Sequence, residues 1–184
     1  MLKSISFSAG RDTFDNRPSQ KVVKDFGDLI AHIEAHRGEK KGLNYICGPM
    51  AYGPHNKPQK HPQEAHYRLA SHAEPCSFLS LDIDHMDGEK VQNLVLQEIE
   101  HLSSYAYETA SSTPDIPRMR VILWLDREVD RDERIQAGMV FESRLNEAVQ
   151  KKFGSGSIEF DSSVYRPEQP NYNPIKGARS WKFI

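Results

Sequence analysis

The sequence has few cysteines. Cys47 and Cys76 are the only two in 184 residues, too few for a metal cage on their own or for a disulfide scaffold, so they read as reduced thiols of a cytosolic protein. Long hydrophobic runs are also missing. No stretch approaches the roughly 20 apolar residues of a membrane span, and MLKSISFSAGRD lacks the apolar core of a signal peptide. This predicts no membrane partner and a cytoplasmic location. Neither sign of charge dominates: 24 Lys and Arg face 26 Asp and Glu, for a formal net charge of −2. A global basic footprint is thereby excluded, and any contact with nucleic acid must come from local patches. There is no internal repeat or low-complexity tract. A mean hydropathy of −0.67 goes with apolar residues gathered into runs, which is the pattern of a folded chain rather than a disordered one.

Those runs set the expected elements. Residues 2–9 alternate as a strand, and 10–20 read as a loop. Val22, Phe26, Leu29, Ile30 and Ile33 recur at helical spacing, predicting an amphipathic helix over 21–36 that stops near Gly38. LNYIC (43–47) reads as a short strand. From Gly48 to about Ala73 runs a long polar loop rich in Pro, His, Gly, Asn and Lys. CSFLSLDIDHM is a strand, VQNLVLQEIEHLSS a helix, 105–109 a strand, RMRVILWL a strand, residues 131–154 a long helix, and SIEFD a short strand. From Ser162 onward the chain reads as loop. Interleaved strands and helices predict an α/β (α+β) architecture. The chain is expected to form one domain, 1–184: an N-terminal αβ part and basic loop (1–73), a motif-bearing core (74–174) and a tail (175–184).

The chemistry concentrates on three strands. Side chains alternate faces along a strand, so Leu79, Leu81 and Ile83 share one face while Ser80, Asp82 and Asp84 share the other. Likewise Met119, Val121, Leu123 and Leu125 oppose Arg118 and Arg120, and Ile158 and Phe160 oppose Glu159 and Asp161. If the strands pair, one surface carries Asp82, Asp84 and Asp161 beside Arg118 and Arg120. Three carboxylates with two guanidiniums is the composition of a two-metal phosphoryl or nucleotidyl transfer site. The plainer alternatives are acids solvated at a strand end and arginines salt-bridged to neighbouring acids. Because close like charges repel, Asp82→Ala or Asp84→Ala is expected to leave the fold intact or more stable.

At these residues the sequence resembles a known family. FLSLDID is similar to the first motif of archaeo-eukaryotic primases, a hydrophobic strand ending in D-h-D. TASSTPDIPRMRVILWLDREV resembles the second-motif region of that superfamily's phage, plasmid and mobile-element branch. IEFDSSVYRPEQPNYNP resembles its third motif. The match covers about residues 75–174, and the N-terminal third fits only loosely. The resemblance implies an RRM-like sheet with helices packed on one face and a small N-terminal αβ module. It implies a DNA primase/polymerase-type nucleotidyltransferase that makes primers on single-stranded DNA from nucleoside triphosphates, with Mg²⁺ or Mn²⁺ in a two-metal site. Asp82, Asp84 and Asp161 would hold the metals, and Ser111, Arg118, Arg120 and Arg166 would face the triphosphate. A helicase in the same or a neighbouring chain is a further implied partner. One departure stands out: the better-known primases carry S-x-H in the second motif, and no histidine follows Ser111 or Ser112. The corresponding alternative is a catalytically degenerate replication-initiation module that binds DNA on the same fold.

Other signals are weaker. Lys57, Lys60 and Arg68 make the 48–73 loop locally basic, suited to a DNA backbone or to plain solvation. His32 and His36 sit i, i+4 on a helix, but the Glu is one place off H-E-x-x-H, so a solvated helix face is expected. His55, His61, His66 and His72 lack tight ligand spacing. His85 falls on the core side by parity. Tyr165, Tyr172 and Trp181 suit base stacking or packing against the domain. A rolling-circle endonuclease needs a His-hydrophobic-His pair, and no H-x-H occurs.

Overall fold

A computed structural model describes residues 4–184; Leu2 and Lys3 of the first expected strand lie outside it. The elements are β1 (Ile5–Asp12), β2 (Ser19–Val23), α1 (Phe26–Ala35), β3 (Leu43–Cys47), β4 (Cys76–Met86), α2 (Glu89–Ile99), β5 (Ser104–Glu108), β6 (Met119–Val129), α3 (Arg131–Phe153), β7 (Ile158–Phe160), β8 (Asn171–Tyr172) and β9 (Ser180–Phe183). They form a mixed α/β structure of two antiparallel sheets and three helices. Among the described residues no helix is long and apolar enough to cross a membrane.

The larger sheet has the order β7-β4-β6-β5-β9. Its first four strands come from a β-α-β-β-α-β run, β4-α2-β5-β6-α3-β7, which is the split βαβ arrangement of ferredoxin-like and RRM folds. Strand alternation then makes two cores. Leu79, Leu81, Ile83, Val121 and Leu123 face Val91, Val95, Leu145 and Val149 of α2 and α3. The opposite face, with Phe78, Ile122, Tyr105 and Tyr107, packs on Ile5, Phe7 and Ile46 of the smaller sheet and on Phe26, Leu29, Ile30 and Ile33 of α1. The smaller sheet has the order β2-β1-β3-β8. Its insertion against the second face means that the polar side of β4 and β6 is open only at one end.

Three expectations are corrected. The helix expected from residue 21 starts at Phe26, because Asp25 caps it, its side chain accepting from the Asp28 N–H at 3.0 Å. Residues 19–23 are instead an edge strand paired with Ile5–Ala9, which leaves Val22 65% exposed. Residues 10–12, expected in a loop, extend β1. The tail, expected as loop, supplies an edge strand to each sheet: β8 pairs Tyr172 with Tyr45, and β9 pairs Lys182 with Tyr105. Strands of two and four residues carry too little period to be read locally. The 48–73 loop is ordered by its own contacts. Ala51 N–H donates to the His72 carbonyl at 2.7 Å, Gly53 bridges to Ala65, and the His55 and His61 rings meet at a tilt, centroids 4.1 Å apart, beside Tyr67.

The α1 helix is tied to the larger sheet through Glu34, which accepts from Arg37, from the Tyr105 hydroxyl at 2.5 Å and from Ser180 at 3.1 Å. The Arg37 hydrogen bonds hold the Glu34 pKa down to about 2, with Tyr105 assisting against a smaller burial cost. A depressed carboxylate pKa contributes stability that is present above the unfolded value of roughly 4.3 and is lost as pH falls toward 2. Glu34→Gln should therefore lower the melting temperature at pH 7, and its difference from the parent should shrink steadily between pH 4 and pH 2. Melts followed by circular dichroism across that range check this.

Candidate active site

The strands that bear the acids and arginines do pair, β4 lying between β7 and β6, and register places their polar side chains on one rung. Asp82 lies opposite Arg120, Arg120 opposite Tyr107, and the Asp161 N–H donates to the Asp82 carbonyl at 2.9 Å. Directly paired residues share a face, so Asp161, Asp82, Arg120 and Tyr107 cross the sheet in a line. The rung lies near the open end, with only the Ile83–Met119 pairing of β4 and β6 beyond it. Beyond it, the register of β4 on β7 shifts between Ile83 and His85. This bulge carries Asp84 and returns Met86, not His85, to the core. The parity expected for His85 therefore fails, and its Nε2 pairs with Asp87 at 2.9 Å.

Around the rung lies a cleft of about 380 Å³, within the usual size of ligand pockets. It is lined by Asp82, Asp84, Asp161, Ser111, Arg118 and Arg120, which brings together six of the seven residues expected to serve metal or triphosphate. Arg166 is not in the lining; its Nε donates to the Ser163 carbonyl at 3.3 Å. Of the residues expected to touch DNA, Lys57 and Lys60 are exposed. Arg68 is turned inward, 5.3 Å over the Tyr45 ring and 3.4 Å from the Glu168 carbonyl.

The two arginines have different states. Arg120 is 6% exposed, ion-paired to Asp82 Oδ2 and bonded to the Tyr172 carbonyl at 3.1 Å. Burial pulls its pKa down, but the Asp82 charge and Tyr107 more than offset that and carry it upward. The salt-bridge alternative thus holds for Arg120. Arg118 makes no ion pair among the described residues, and its buried Nε has no partner. Sequence reasoning missed Lys41, which lines the cleft and donates to the Ser111 hydroxyl at 3.3 Å. Nothing in the pattern HRGEKKGLN marks it, since a lysine in a turn is ordinarily solvated. The Ser/Thr turn is held by Ser112, whose hydroxyl accepts from the Arg118 N–H at 3.1 Å. Gln169, Pro170, Tyr172 and Asn173 complete the wall, and the Tyr172 carbonyl also accepts from the Tyr107 hydroxyl at 2.8 Å.

Asp161 is placed by the 3₁₀ turn Ser162–Tyr165, which it caps through Oδ1 on the Ser163 N–H at 2.9 Å. That turn is gripped by Arg134 of α3. Arg134 is fully buried and donates to the carbonyls of Phe78 (3.1 Å), Val164 (3.0 Å) and Tyr165. Burial lowers its pKa. Gly138, one turn on, lets the Tyr165 ring lie against the helix, since a Cβ there would stand 2.4 Å from that ring.

Whether the acids fit a divalent ion can be judged atom by atom. Among the described residues no three His, Cys, Asp or Glu side chains are already gathered into a metal cage. Asp82 spends Oδ2 on Arg120, and Asp161 spends Oδ1 on the turn. Yet Asp82 Oδ1 is buried with no partner. Asp84 has its pKa raised by burial and then by the Asp82 and Asp161 charges. An orphaned carboxylate oxygen beside two further acids is an all-oxygen donor set, which fits Mg²⁺ or Mn²⁺.

No protein-family model matches the chain, and no curated protein matches it significantly. Among solved structures it is similar to a polymerase domain from Mycobacterium tuberculosis Ligase D in complex with DNA, with 13% identity and a TM-score of 0.44, covering 94% of this chain and 68% of that one. At that level the likeness says nothing about chemistry, which the site's own residues must carry.

The ion pair reverses the stability expectation at Asp82. Removing it strands a buried guanidinium, which costs about 3–5 kcal/mol. Asp82→Ala should therefore lower the unfolding free energy by that amount, whereas Asp84→Asn, which relieves repulsion, should not lower it. The double variant Asp82→Leu with Arg120→Met should regain most of the loss. Urea unfolding of the four proteins checks all three outcomes.

Proposed function

We propose that the chain is a metal-dependent nucleotidyltransferase of the primase–polymerase kind, making primers on single-stranded DNA from nucleoside triphosphates for a phage, plasmid or other mobile element. One observation supports this most. Among the described residues seven buried side-chain polar atoms lack a partner, and four of them belong to cleft residues: Asp82 Oδ1, Arg118 Nε, Arg120 Nε and Asn173 Oδ1. Folded proteins rarely leave such groups unpaired. An acidic oxygen and guanidinium N–H groups orphaned together suit a metal–phosphate ligand. The mobile-element context rests on the motif resemblance alone.

Asp82, Asp84 and Asp161 would hold divalent ions, and these would neutralise phosphate charge and lower the pKa of an attacking hydroxyl. Arg118 and Lys41, both free of carboxylate partners among the described residues, would take the β- and γ-phosphates. Arg120 has another part: it fixes Asp82 and the Tyr172 carbonyl, setting the rung on which the acids stand. The bulge at Asp84 directs that carboxylate to the open end.

The Asp82–Arg120 pair also supports a second reading, in which the fold has kept DNA binding and lost transfer. Triphosphate binding in the presence and absence of Mn²⁺ separates the two. On the first reading Mn²⁺ strengthens triphosphate binding. Arg118→Ala then weakens it by about 1.5–3 kcal/mol, the range for charged hydrogen bonds, and Asp84→Asn and Asp161→Asn reduce primer synthesis by roughly a hundredfold or more, as expected when several kcal/mol of metal stabilisation are lost. On the second, Mn²⁺ leaves triphosphate binding unchanged and no primer appears.

A further inference from the structure

The β1–β2 hairpin ends in an apolar ring that nothing covers. Phe14 is 92% exposed, more than any other large hydrophobic side chain among the described residues. The tip that carries it is nonetheless held in place by hydrogen bonds. Asp12 Oδ1 accepts from the N–H groups of Phe14 (2.9 Å) and Asp15 (3.1 Å), and Asp15 accepts from the N–H groups of Arg11 and Arg17. The Tyr45 hydroxyl donates to the Asp15 carbonyl, and Arg68 N–H donates to the Asn16 carbonyl at 2.9 Å. Tyr45 reaches the tip by crossing over Gly10, where a Cβ would stand 2.1 Å from its ring.

Preorganisation of this kind has a use only if the ring meets something. The neighbouring charge says what. The Arg11 side chain is 88% exposed and Arg17 is also exposed. The two acids of the turn are spent on backbone amides, although Asp15 also meets Arg11 Nε at 3.3 Å. An exposed apolar ring flanked in sequence by two exposed arginines matches a base flanked by phosphates. Position agrees with charge. Thr13, beside Phe14, lies against Gly42, its Cγ2 being 3.4 Å from where a Cβ would stand. Lys41 and Gly42 line the cleft, so the tip stands at the cleft mouth.

We infer that the β1–β2 hairpin tip is a docking surface for single-stranded nucleic acid running past the cleft, with Phe14 stacking on a base and Arg11 and Arg17 meeting phosphates. The inference rests on the nucleotidyl-transfer reading of the cleft. It moves the main strand contact from Lys57 and Lys60 to the β1–β2 hairpin tip, which Arg68 supports through its backbone bond to Asn16.

The test titrates the full chain with fluorescent oligo(dT) by anisotropy and, separately, with a fluorescent triphosphate analogue and Mn²⁺. Phe14→Ala should weaken oligonucleotide binding by about fivefold to a hundredfold, the range for one lost stack, and leave triphosphate binding unchanged. Phe14→Trp should bind within about twofold of the parent, since any aromatic ring stacks. Arg17→Ala should flatten the salt dependence by about one phosphate contact. Unchanged oligonucleotide affinity in Phe14→Ala overturns the inference, as does a parent protein that binds no oligonucleotide. So does a parent dimer that Phe14→Ala converts to monomer in sedimentation, which would make the tip a contact between copies. If Phe14→Ala loses oligonucleotide while the parent binds no triphosphate, the reading of the cleft fails and the hairpin contact stands.

Discussion

The Asp82–Arg120 ion pair is the constraint around which the site is built. Two buried charges near the end of an antiparallel ladder are tolerable only together. Arg120 cannot leave without stranding Asp82, and its second arm holds the Tyr172 carbonyl. One pair thus fixes the spacing of β4 and β6 and pins β8 of the other sheet above them. The remaining acids are placed relative to it, Asp161 by the next backbone hydrogen bond across the sheet and Asp84 by the bulge one step along β4.

That arrangement divides labour between residues of the same type. Arg120 and Arg118 are two apart in the chain, yet Arg120 is ion-paired to Asp82 while Arg118 makes no ion pair among the described residues, and both keep an unpartnered Nε. Asp82 and Asp84 differ in the same way. The rung lies at the boundary where the smaller sheet stops covering the larger one. Inward of it the polar face becomes Phe78, Ile122 and Tyr105, packed in a core. Outward of it the face is open and charge can be left unspent for a ligand.

Much of this was legible in the sequence because strand period is a strong local signal. The parity of LSLDID and of RMRVILWL correctly put Asp82, Arg120 and their neighbours on one face, and the core faces of α1 and β6 followed from spacing. What escaped depends on distant partners. The β2 strand hid because Val22 happens to fit a helical spacing with Phe26. The bulge that turns His85 away from the core is set by the register of β7, and β8 and β9 take their conformation from strands far upstream. Lys41 carries no pattern, and only the fold brings it to Ser111. Salt bridging at Arg120 was weighed as an alternative, but composition could not say which of two arginines would be captured.

The short strands β8 and β9 bear on how the molecule assembles. Each completes a sheet begun much earlier: Tyr172 joins Tyr45, and Trp181 joins Ala106. Until they arrive, both sheets expose unpaired edges, and the Tyr172 carbonyl that Arg120 and Tyr107 share is absent. Long loops must close before those contacts repay their entropy. During synthesis the Asp82–Arg120 rung is thus among the last features to take shape, so a nascent chain with collapsed helices and a formed core still lacks the finished cleft.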